Sequence, residues 1–153
     1  MDNLEIIKQI ITDLLNKISF DAKVKIDASD QNNIVVNIQT EQGGFLIGQA
    51  GGNLNALQHI ARILVNKKNG QPIQFILDVN DYRQHRLELL KELAQNMAKQ
   101  ALSKKVSLIL HPMSAYERRI IHLSLADNPE INTESTGDDP KRRIVIKPVE
   151  DTK

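Results

Sequence analysis

The apolar residues of the chain follow two spacings, one typical of helices and one typical of strands. Spacings of three and four residues predict helices over residues 3–19, 54–69, 81–102 and 114–126, with one short helical turn over 43–47. Alternation of apolar and polar residues predicts strands over 22–28, 34–38, 72–79 and 106–110, and a closing hairpin of 131–135 with 142–147. The turn-rich segment 29–33 joins the first two strands. These helices and strands predict an α+β chain.

Composition excludes several classes of protein. The chain has no cysteine, which removes disulfides, thiolate zinc sites and cysteine nucleophiles, and fits a reducing cytoplasm. Its four histidines are scattered without metal-ligand spacing. It has no apolar run near 18 residues and no basic start typical of a signal peptide. These features fit a cytoplasmic protein, and we expect no membrane insertion, no bound metal and no cofactor.

The charge is unevenly distributed, although the net charge is only +1. Residues 1–80 carry seven basic against eight acidic side chains. Residues 83–119 carry eight basic against three acidic side chains, a local net charge of +5. A local basic surface is what phosphate binding needs, and an ordinary solvated surface is the alternative. Aromatic residues make up only 3% of the chain, which argues against extensive base stacking.

A glycine segment, Gly48-Gln49-Ala50-Gly51, lies between the predicted turn 43–47 and the helix that follows it. Glycines let the backbone turn sharply and let a sugar-phosphate strand approach without a Cβ in the way. The first N–H groups of the next helix would face those phosphates. A helix–turn–helix corner that binds nothing is the alternative.

The helix predicted over 114–126 begins with a recognisable cap and carries a basic face. Ser114 followed three residues later by Glu117 is a capping-box pattern. At about 100° per residue, Arg118, Arg119 and His122 share roughly a third of the helix circumference. Planar cationic donors at such a position suit phosphates and unstacked bases.

The other side of this helix is expected to hold it to a core. Tyr116, Ile120 and Leu123 fall outside the basic arc, and we expect them to be the residues that pack. A merely solvated face for the basic arc is the alternative.

Several stretches resemble the Jag (SpoIIIJ-associated) family of bacterial RNA-binding proteins. The stretch from Leu46 to Gln58, LIGQAGGNLNALQ, is similar to its KH signature. The stretches YRQHR from Tyr82 and PMSAYERRIIH from Pro112 are similar to its second domain, named RxxxH (R-three-H) for an arginine and a histidine separated by three residues. TESTG from Thr133 and RRIVI from Arg142 resemble the closing hairpin.

The resemblance implies a type II KH domain (α-β-β-α-α-β) over residues 1–79, with its GxxG loop at 48–51. An R-three-H domain, in which helices pack on a small antiparallel sheet, would follow over residues 80–150. Because the sequence begins directly with the KH helix, it predicts a short form that lacks the N-terminal Jag domain of larger members. The implied function is binding of single-stranded RNA, with single-stranded DNA as the alternative nucleic acid. The family also implies post-transcriptional control of cell envelope, elongation, division or shape.

We expect two groups of residues to contact the nucleic acid: those of the glycine loop and the arginines and histidine of the second half of the chain. They are Gly48, Gln49, Ala50, Gly51, Arg83, Arg86, Arg118, Arg119, His122, Arg142 and Arg143. Arg118 and His122 are the name-giving pair, and a surface role on the helix is the alternative for Arg83 and Arg86. Many family members have lysine or arginine between the loop glycines, where this chain has Gln49 and Ala50. Phosphate affinity at the loop should therefore be reduced.

Two other functions are weighed against nucleic-acid binding. An acid–base pair of Glu117 and His122 for phosphodiester cleavage is disfavoured, because the capping box already explains Glu117 and no acidic cluster suggests a catalytic metal. We therefore expect no enzyme and no catalytic residues. A protein-interaction adaptor with vestigial RNA binding is the stronger alternative. It would form a homodimer or pair with a small single-KH protein.

Overall fold

The computed structural model of the chain describes residues 1–30 and 32–150. Its helices are α1 (Asn3–Lys17), α2 (Gly43–Ile47), α3 (Gly52–Asn69), α4 (Tyr82–Lys104) and α5 (Ala115–Leu125). Its strands are β1 (Lys23–Asp27), β2 (Ile34–Gln39), β3 (Phe75–Val79), β4 (Leu108–Ile109), β5 (Ile131–Thr136) and β6 (Arg143–Pro148). A 3-10 turn over Gln49–Gly51 connects α2 to α3. The chain divides into two compact units, residues 1–83 and the part from residue 84 onward.

The first unit is a three-stranded sheet covered by helices. Its strand order is β1-β2-β3, with β1 antiparallel and β3 parallel to the central β2. The parallel pairing requires the crossover that α2 and α3 supply. The sheet and α1 and α3 share one hydrophobic core, whose fully buried members include Ile7, Ile11, Val36, Ile38, Leu54, Ala61, Val65, Leu77 and Val79. This element order confirms the α-β-β-α-α-β arrangement expected of a type II KH domain.

The outer edge of β3 is closed by side chains rather than by another strand. Gln58 of α3 donates from Nε2 to the Phe75 carbonyl oxygen (3.1 Å) and accepts from the Leu77 backbone N–H. Arg83 donates from Nε to the Leu77 carbonyl oxygen (2.9 Å). Unpaired backbone groups on an edge strand invite pairing with another chain. These contacts therefore satisfy the backbone of β3 and hinder strand addition there.

Hydrogen bonds anchor the segment after β3 to the first unit. The Asn80 side chain donates to the Thr40 carbonyl oxygen (2.8 Å) and accepts from the Thr40 N–H (3.1 Å). The buried carboxylate of Asp78 accepts from the backbone N–H groups of Val79 (2.8 Å) and Arg83 (3.1 Å). A buried carboxylate needs such donors to offset its lost hydration. The first residues of α4 are thereby fixed against β3.

The second unit packs α4 and α5 on an antiparallel sheet of strand order β4-β6-β5. Small residues of α4 let its neighbours approach closely, and β6 supplies the buried centre of the sheet. The core members are Leu90, Ala94, Ala98, Ala101, Leu110, Ile120, Ile121, Leu125, Ile131, Ile144 and Ile146. Helices on a small antiparallel sheet are the arrangement expected of the R-three-H domain.

Two predicted strands are shorter than expected, and one predicted turn is only partly described. The strand expected over 72–79 begins at Phe75, and the strand expected over 106–110 is reduced to Leu108 and Ile109. Lys105 has a left-handed backbone (φ 53°), so the chain is still turning out of α4 just before that strand. Gln31, in the predicted turn 29–33, lies outside the described residues.

We predict that Gln58→Ala lowers the free energy of unfolding of the first unit by about 2 kcal/mol, because it leaves a donor and an acceptor of β3 unpaired. Urea unfolding and hydrogen exchange of the Leu77 amide measure the effect. His59→Ala, at the exposed neighbouring position of α3, is the matched control and should change stability by less than about 0.5 kcal/mol. Equal losses in both variants would contradict the role given to Gln58.

Candidate nucleic-acid interface

The first and last residues of the glycine loop have backbone conformations and neighbours that favour glycine. Gly48 and Gly51 have φ angles of 70° and 79°. A Cβ on Gly48 would lie 2.5 Å from Cγ of Asn53, and one on Gly51 would lie 3.2 Å from the ring of Tyr82. Asn53 is held in place by a hydrogen bond from Nδ2 to the Phe45 carbonyl oxygen (2.9 Å). Asn53 and Tyr82 therefore fix the inner side of the loop and leave its outer side open.

The outer side of the loop is polar but uncharged, as the sequence predicted. Gln49 and Ala50 are both exposed, and Ala50 also has a left-handed backbone (φ 52°). Sequence reasoning missed Phe45, whose side chain is 74% exposed on α2 three residues before the loop. The signal was available: α2 buries Gly43 and Leu46, and a five-residue helix that packs through those positions turns Phe45 toward solvent.

Helix α5 packs through a different side from the one predicted. Tyr116 and Leu123, expected in the core, are 71% and 64% exposed. The expectation is correct only for Ile120, which is buried together with Ile121. The buried side also carries Glu117 and Arg118, so the basic arc runs from the core to solvent instead of lying wholly at the surface.

Arg118 is a buried residue with partners inside the second unit. It donates from Nη1 to the Met113 carbonyl oxygen (2.6 Å). Its Nη1 also lies 3.6 Å from the carboxylate of Asp139 in the β5–β6 turn, and the two side chains are 9% and 77% exposed. The exposed carboxylate therefore places a negative charge beside the buried guanidinium, which opposes the approach of a phosphate to Arg118.

Glu117 pairs with Arg86 instead of completing a capping box. Ser114 caps α5 as predicted by accepting from the Glu117 backbone N–H (3.2 Å). The Glu117 side chain does not supply the expected reciprocal bond, and its Oε1 instead accepts from Nε of Arg86 at 2.7 Å. Oε2 of this buried carboxylate has no hydrogen-bond partner among the described residues. Removing Arg86 would leave a buried charge uncompensated, which is costly.

His122 lies half-buried beside Arg118, at the point where α5 faces β5. Its Nδ1 is 2.5 Å from the hydroxyl oxygen of Thr133. Burial, and then the positive charge of Arg118, hold the pKa of His122 below its ordinary value. The lowered pKa favours the neutral imidazole, which can serve as a hydrogen-bonding group rather than as a fixed positive charge.

The remaining arginines predicted to contact nucleic acid differ in how many hydrogen bonds they form within the protein. Arg142 donates from Nε to the Ser135 hydroxyl (3.0 Å) and from Nη1 to the Gly137 carbonyl oxygen (2.8 Å), which braces the β5–β6 turn. Arg143 donates to the Lys141 carbonyl oxygen (3.2 Å). Arg119, by contrast, is exposed and has no hydrogen bond or ion pair with any residue in ranges 1–30 and 32–150.

The part of the chain that the structure describes has neither a membrane-spanning helix nor a cluster of metal ligands. Within 1–30 and 32–150, no helix combines the length and the apolar character needed to cross a membrane. The same residues include no cluster of three or more histidine, aspartate or glutamate side chains that could hold a metal ion.

Comparison with known proteins matches each unit to a nucleic-acid-binding family. Residues 5–77 match the KH domain of KhpA and KhpB, and residues 88–148 match the R-three-H domain. The RNA-binding protein KhpB of Clostridium symbiosum is 35% identical over 143 residues, which cover 94% of this chain and 63% of that protein. KhpB of Bacillus subtilis is 38% identical over 112 residues, 72% of this chain and 54% of the relative.

The relatives are longer than the chain. KhpB of Lactiplantibacillus plantarum is 38% identical over 111 residues, which cover 72% of this chain but only 34% of that protein. The chain thus spans between about a third and somewhat under two thirds of the length of these curated relatives. All of them carry the name of an RNA-binding protein rather than that of an enzyme.

We predict that His122 makes stability depend on pH. Because its pKa is lowered in the folded state, the unfolded chain takes up the proton first as the pH falls. The stabilisation is complete above the unfolded pKa of about 6.5 and is lost as the pH falls below it toward the folded pKa. Urea unfolding from about pH 7.5 to 5.5 should show this loss, which His122→Gln should reduce. Exposed His111→Gln is the control, and an unchanged pH profile in His122→Gln would contradict the assignment.

Proposed function

We propose that the chain binds single-stranded RNA. It belongs to the Jag family, since its two units match a KH domain and an R-three-H domain and its relatives are named RNA-binding protein KhpB. The observation that carries the proposal is the glycine loop. Two side chains fix its inner side while its outer side remains open to solvent. We place the KH domain at residues 1–79 and the R-three-H domain at residues 80–150. The first compact unit extends to Arg83, because this residue is bound to β3.

At the KH loop, backbone approach supports binding more than charge does. The left-handed glycines allow a sugar-phosphate strand to come close, and KH domains clamp about four nucleotides at such a loop. Gln49 is exposed and can donate a hydrogen bond, whereas Ala50 offers only its backbone. Exposed Phe45 adds an apolar surface beside the loop. We therefore assign Gly48 to Gly51 as the KH contact, with modest affinity.

In the R-three-H unit, the proposal divides the cations by their partners. Arg119, which has no partner among the described residues, is available to meet a phosphate, and His122 and Arg118 lie beside it along α5. Arg86 is committed to Glu117, so we assign it a positioning role instead of direct contact. Arg142 and Arg143 stay in the proposal as edge contacts at the β5–β6 turn. Arg83 hydrogen-bonds to the backbone of β3, so we assign it a structural role in the first unit instead of direct contact.

We propose binding without catalysis. Glu117, the acid of the disfavoured acid–base pair with His122, is buried against Arg86, and His122 turns Nδ1 to Thr133. A general base needs hydrogen-bond reach to its substrate, which this carboxylate lacks. From the family we carry over a cytoplasmic location and post-transcriptional control of envelope, elongation or division functions as parts of the proposal.

A protein-interaction adaptor is the second candidate, and one observation favours it. Helix α3 exposes Ile60 and Ile63 (47% and 52%), which lie one turn apart on the same unit as the uncharged loop. Such a face suits contact with a second KH domain, either in a homodimer or in a complex with a small single-KH protein. Sedimentation of the RNA-free protein, before and after Ile63→Lys, tests this candidate separately from RNA binding.

We predict that Gln49→Lys tightens binding of a short fluorescein-labelled single-stranded RNA by about fivefold at low salt, because a charged donor replaces a neutral one. The slope of log affinity against log salt should steepen by about 0.7, the value for one more phosphate contact on a single strand. Fluorescence anisotropy over a salt series measures both quantities.

Gln71→Lys adds the same charge to an exposed position beyond α3 and is the matched control. Equal gains in RNA affinity in both variants would contradict contact at the loop. They would show that an added positive charge strengthens binding wherever it lies. A wild-type chain that binds no RNA at low salt would overturn the proposed function itself.

We predict that Asp139→Asn strengthens RNA binding about two- to fivefold, since it removes the negative charge that lies 3.6 Å from the Arg118 guanidinium. Asp138→Asn changes the neighbouring acid of the same turn and is the control, with a smaller effect. Arg118→Ala is a poorer test, because it also removes the bond to Met113 inside the unit. If Asp138→Asn and Asp139→Asn have the same effect, the Arg118 pair does not limit binding.

A further inference from the structure

The solvent-facing side of α5 carries three side chains that have no role in the hydrophobic core of the unit. Tyr116 is 71% and Leu123 64% exposed, and Arg119 is exposed without a partner among the described residues. At about 100° per residue, the three fall within about 60° of the helix circumference. An aromatic ring, a guanidinium and an aliphatic side chain therefore share one narrow face.

This grouping differs from ordinary scattered exposure. Single apolar residues on a surface need no explanation. Here two of them lie on the same stripe of one helix, one before and one after Arg119 along the chain. The chain has only two tyrosines and no tryptophan, so a tyrosine placed in solvent is one of few aromatic groups available for binding. The only acid in α5, Glu117, is buried on the other side of the helix, so this face carries no negative charge of its own.

We infer that the face formed by Tyr116, Arg119 and Leu123 is a subsite for one unstacked nucleobase. The base lies on the ring of Tyr116 and against Leu123, and Arg119 donates to the adjoining phosphate. This inference rests on the proposed binding of single-stranded RNA. It goes further by naming the place where the R-three-H unit holds a base. Every base has a π-face, so the subsite tolerates different sequences.

The size and charge of the face favour a base over a protein partner. A stable protein interface covers about 800 Å² on each partner, far more than two side chains and one guanidinium provide. A single base with its phosphate matches one aromatic ring with one cation beside it. The small aromatic content of the chain agrees with one stacking position instead of an extended platform.

The test uses the full chain and a fluorescein-labelled oligouridine of about eight nucleotides, roughly twice the length that a KH loop clamps. Tyr116→Ala should weaken binding about 5- to 150-fold, whereas Tyr116→Phe should stay within about twofold because it keeps the ring. Tyr116→Ala should leave the salt slope unchanged, and Arg119→Ala should lower it by about 0.7, because only the cation releases counterions. Ile109→Ala, an exposed apolar position on β4, is the matched surface control.

A second readout reports on the ring directly. In a Tyr82→Phe parent, Tyr116 is the only tyrosine, and no tryptophan masks its emission. Oligouridine should quench this emission, and an oligomer of equal length with abasic sites in place of the bases should not. Affinities of this series are compared with the Tyr82→Phe parent.

The outcomes separate the subsite from the function on which it depends. If the wild type binds oligouridine but Tyr116→Ala matches Ile109→Ala and no quenching occurs, the subsite is overturned and RNA binding stands. If Tyr116→Ala changes the sedimentation of the RNA-free protein, the face joins two protein chains and the base assignment fails. If the wild type binds no oligouridine at low salt, the proposed function fails and the subsite with it.

Discussion

Polar groups removed from water must find partners, and this requirement organises both units of the chain. In the first unit, the outer edge of β3 would present bare backbone groups without the Gln58 amide and the Arg83 guanidinium. In the second unit, α5 buries Glu117 and Arg118, and each needs an opposing group. Arg86 supplies one, and the Met113 carbonyl oxygen with Asp139 supplies the other. An unpaired charge at such positions would cost several kcal/mol.

The same requirement decides which cations remain for a ligand. Three arginines of the most basic segment form hydrogen bonds or ion pairs within the protein: Arg83, Arg86 and Arg118. A local net charge of +5 therefore overstates the positive charge available at the surface of this segment. Among the described residues Arg119 has no such partner, because it lies on the exposed side of α5, one residue away from buried Arg118. The proposed phosphate binding in this unit would consequently depend on fewer side chains than the composition suggests.

The two proposed contacts rely on different physics. At the KH loop, the proposed binding would depend on close backbone approach, which Gly48 and Gly51 allow and which the positions of Asn53 and Tyr82 support. At α5, it would depend on exposed side chains of a helix whose opposite side forms ion pairs within the unit. Among the described residues, the loop 48–51 carries no charged side chain, and α5 offers Arg119 as a cation without a partner. The proposed binding would therefore be moderate and salt-sensitive, with shape and stacking contributing beside charge.

Local sequence signals predicted most of the fold. Helical and alternating spacings gave the element order, Ser114 marked the start of α5, and the glycine spacing gave the loop. The signals depend on neighbours within a few residues, so they survive without knowledge of the tertiary structure. The strand over 106–110 was less predictable, because its length depends on where β6 offers pairing partners. The packing side of α5 was also mispredicted, since polarity alone assigned Tyr116 and Leu123 to the core.

The sequence by itself determined the two-block order, the uncharged glycine loop, the capped helix and the family. The tertiary structure alone decided which side of α5 faces solvent and which arginines are engaged by the protein. That division has a physical reason. Whether Arg118 or Tyr116 is buried depends on long-range partners, Asp139 in a distant turn and Arg86 on another helix, whose positions no local spacing reveals. Spacing shows which residues share a helix face, but only packing shows which face is toward the core.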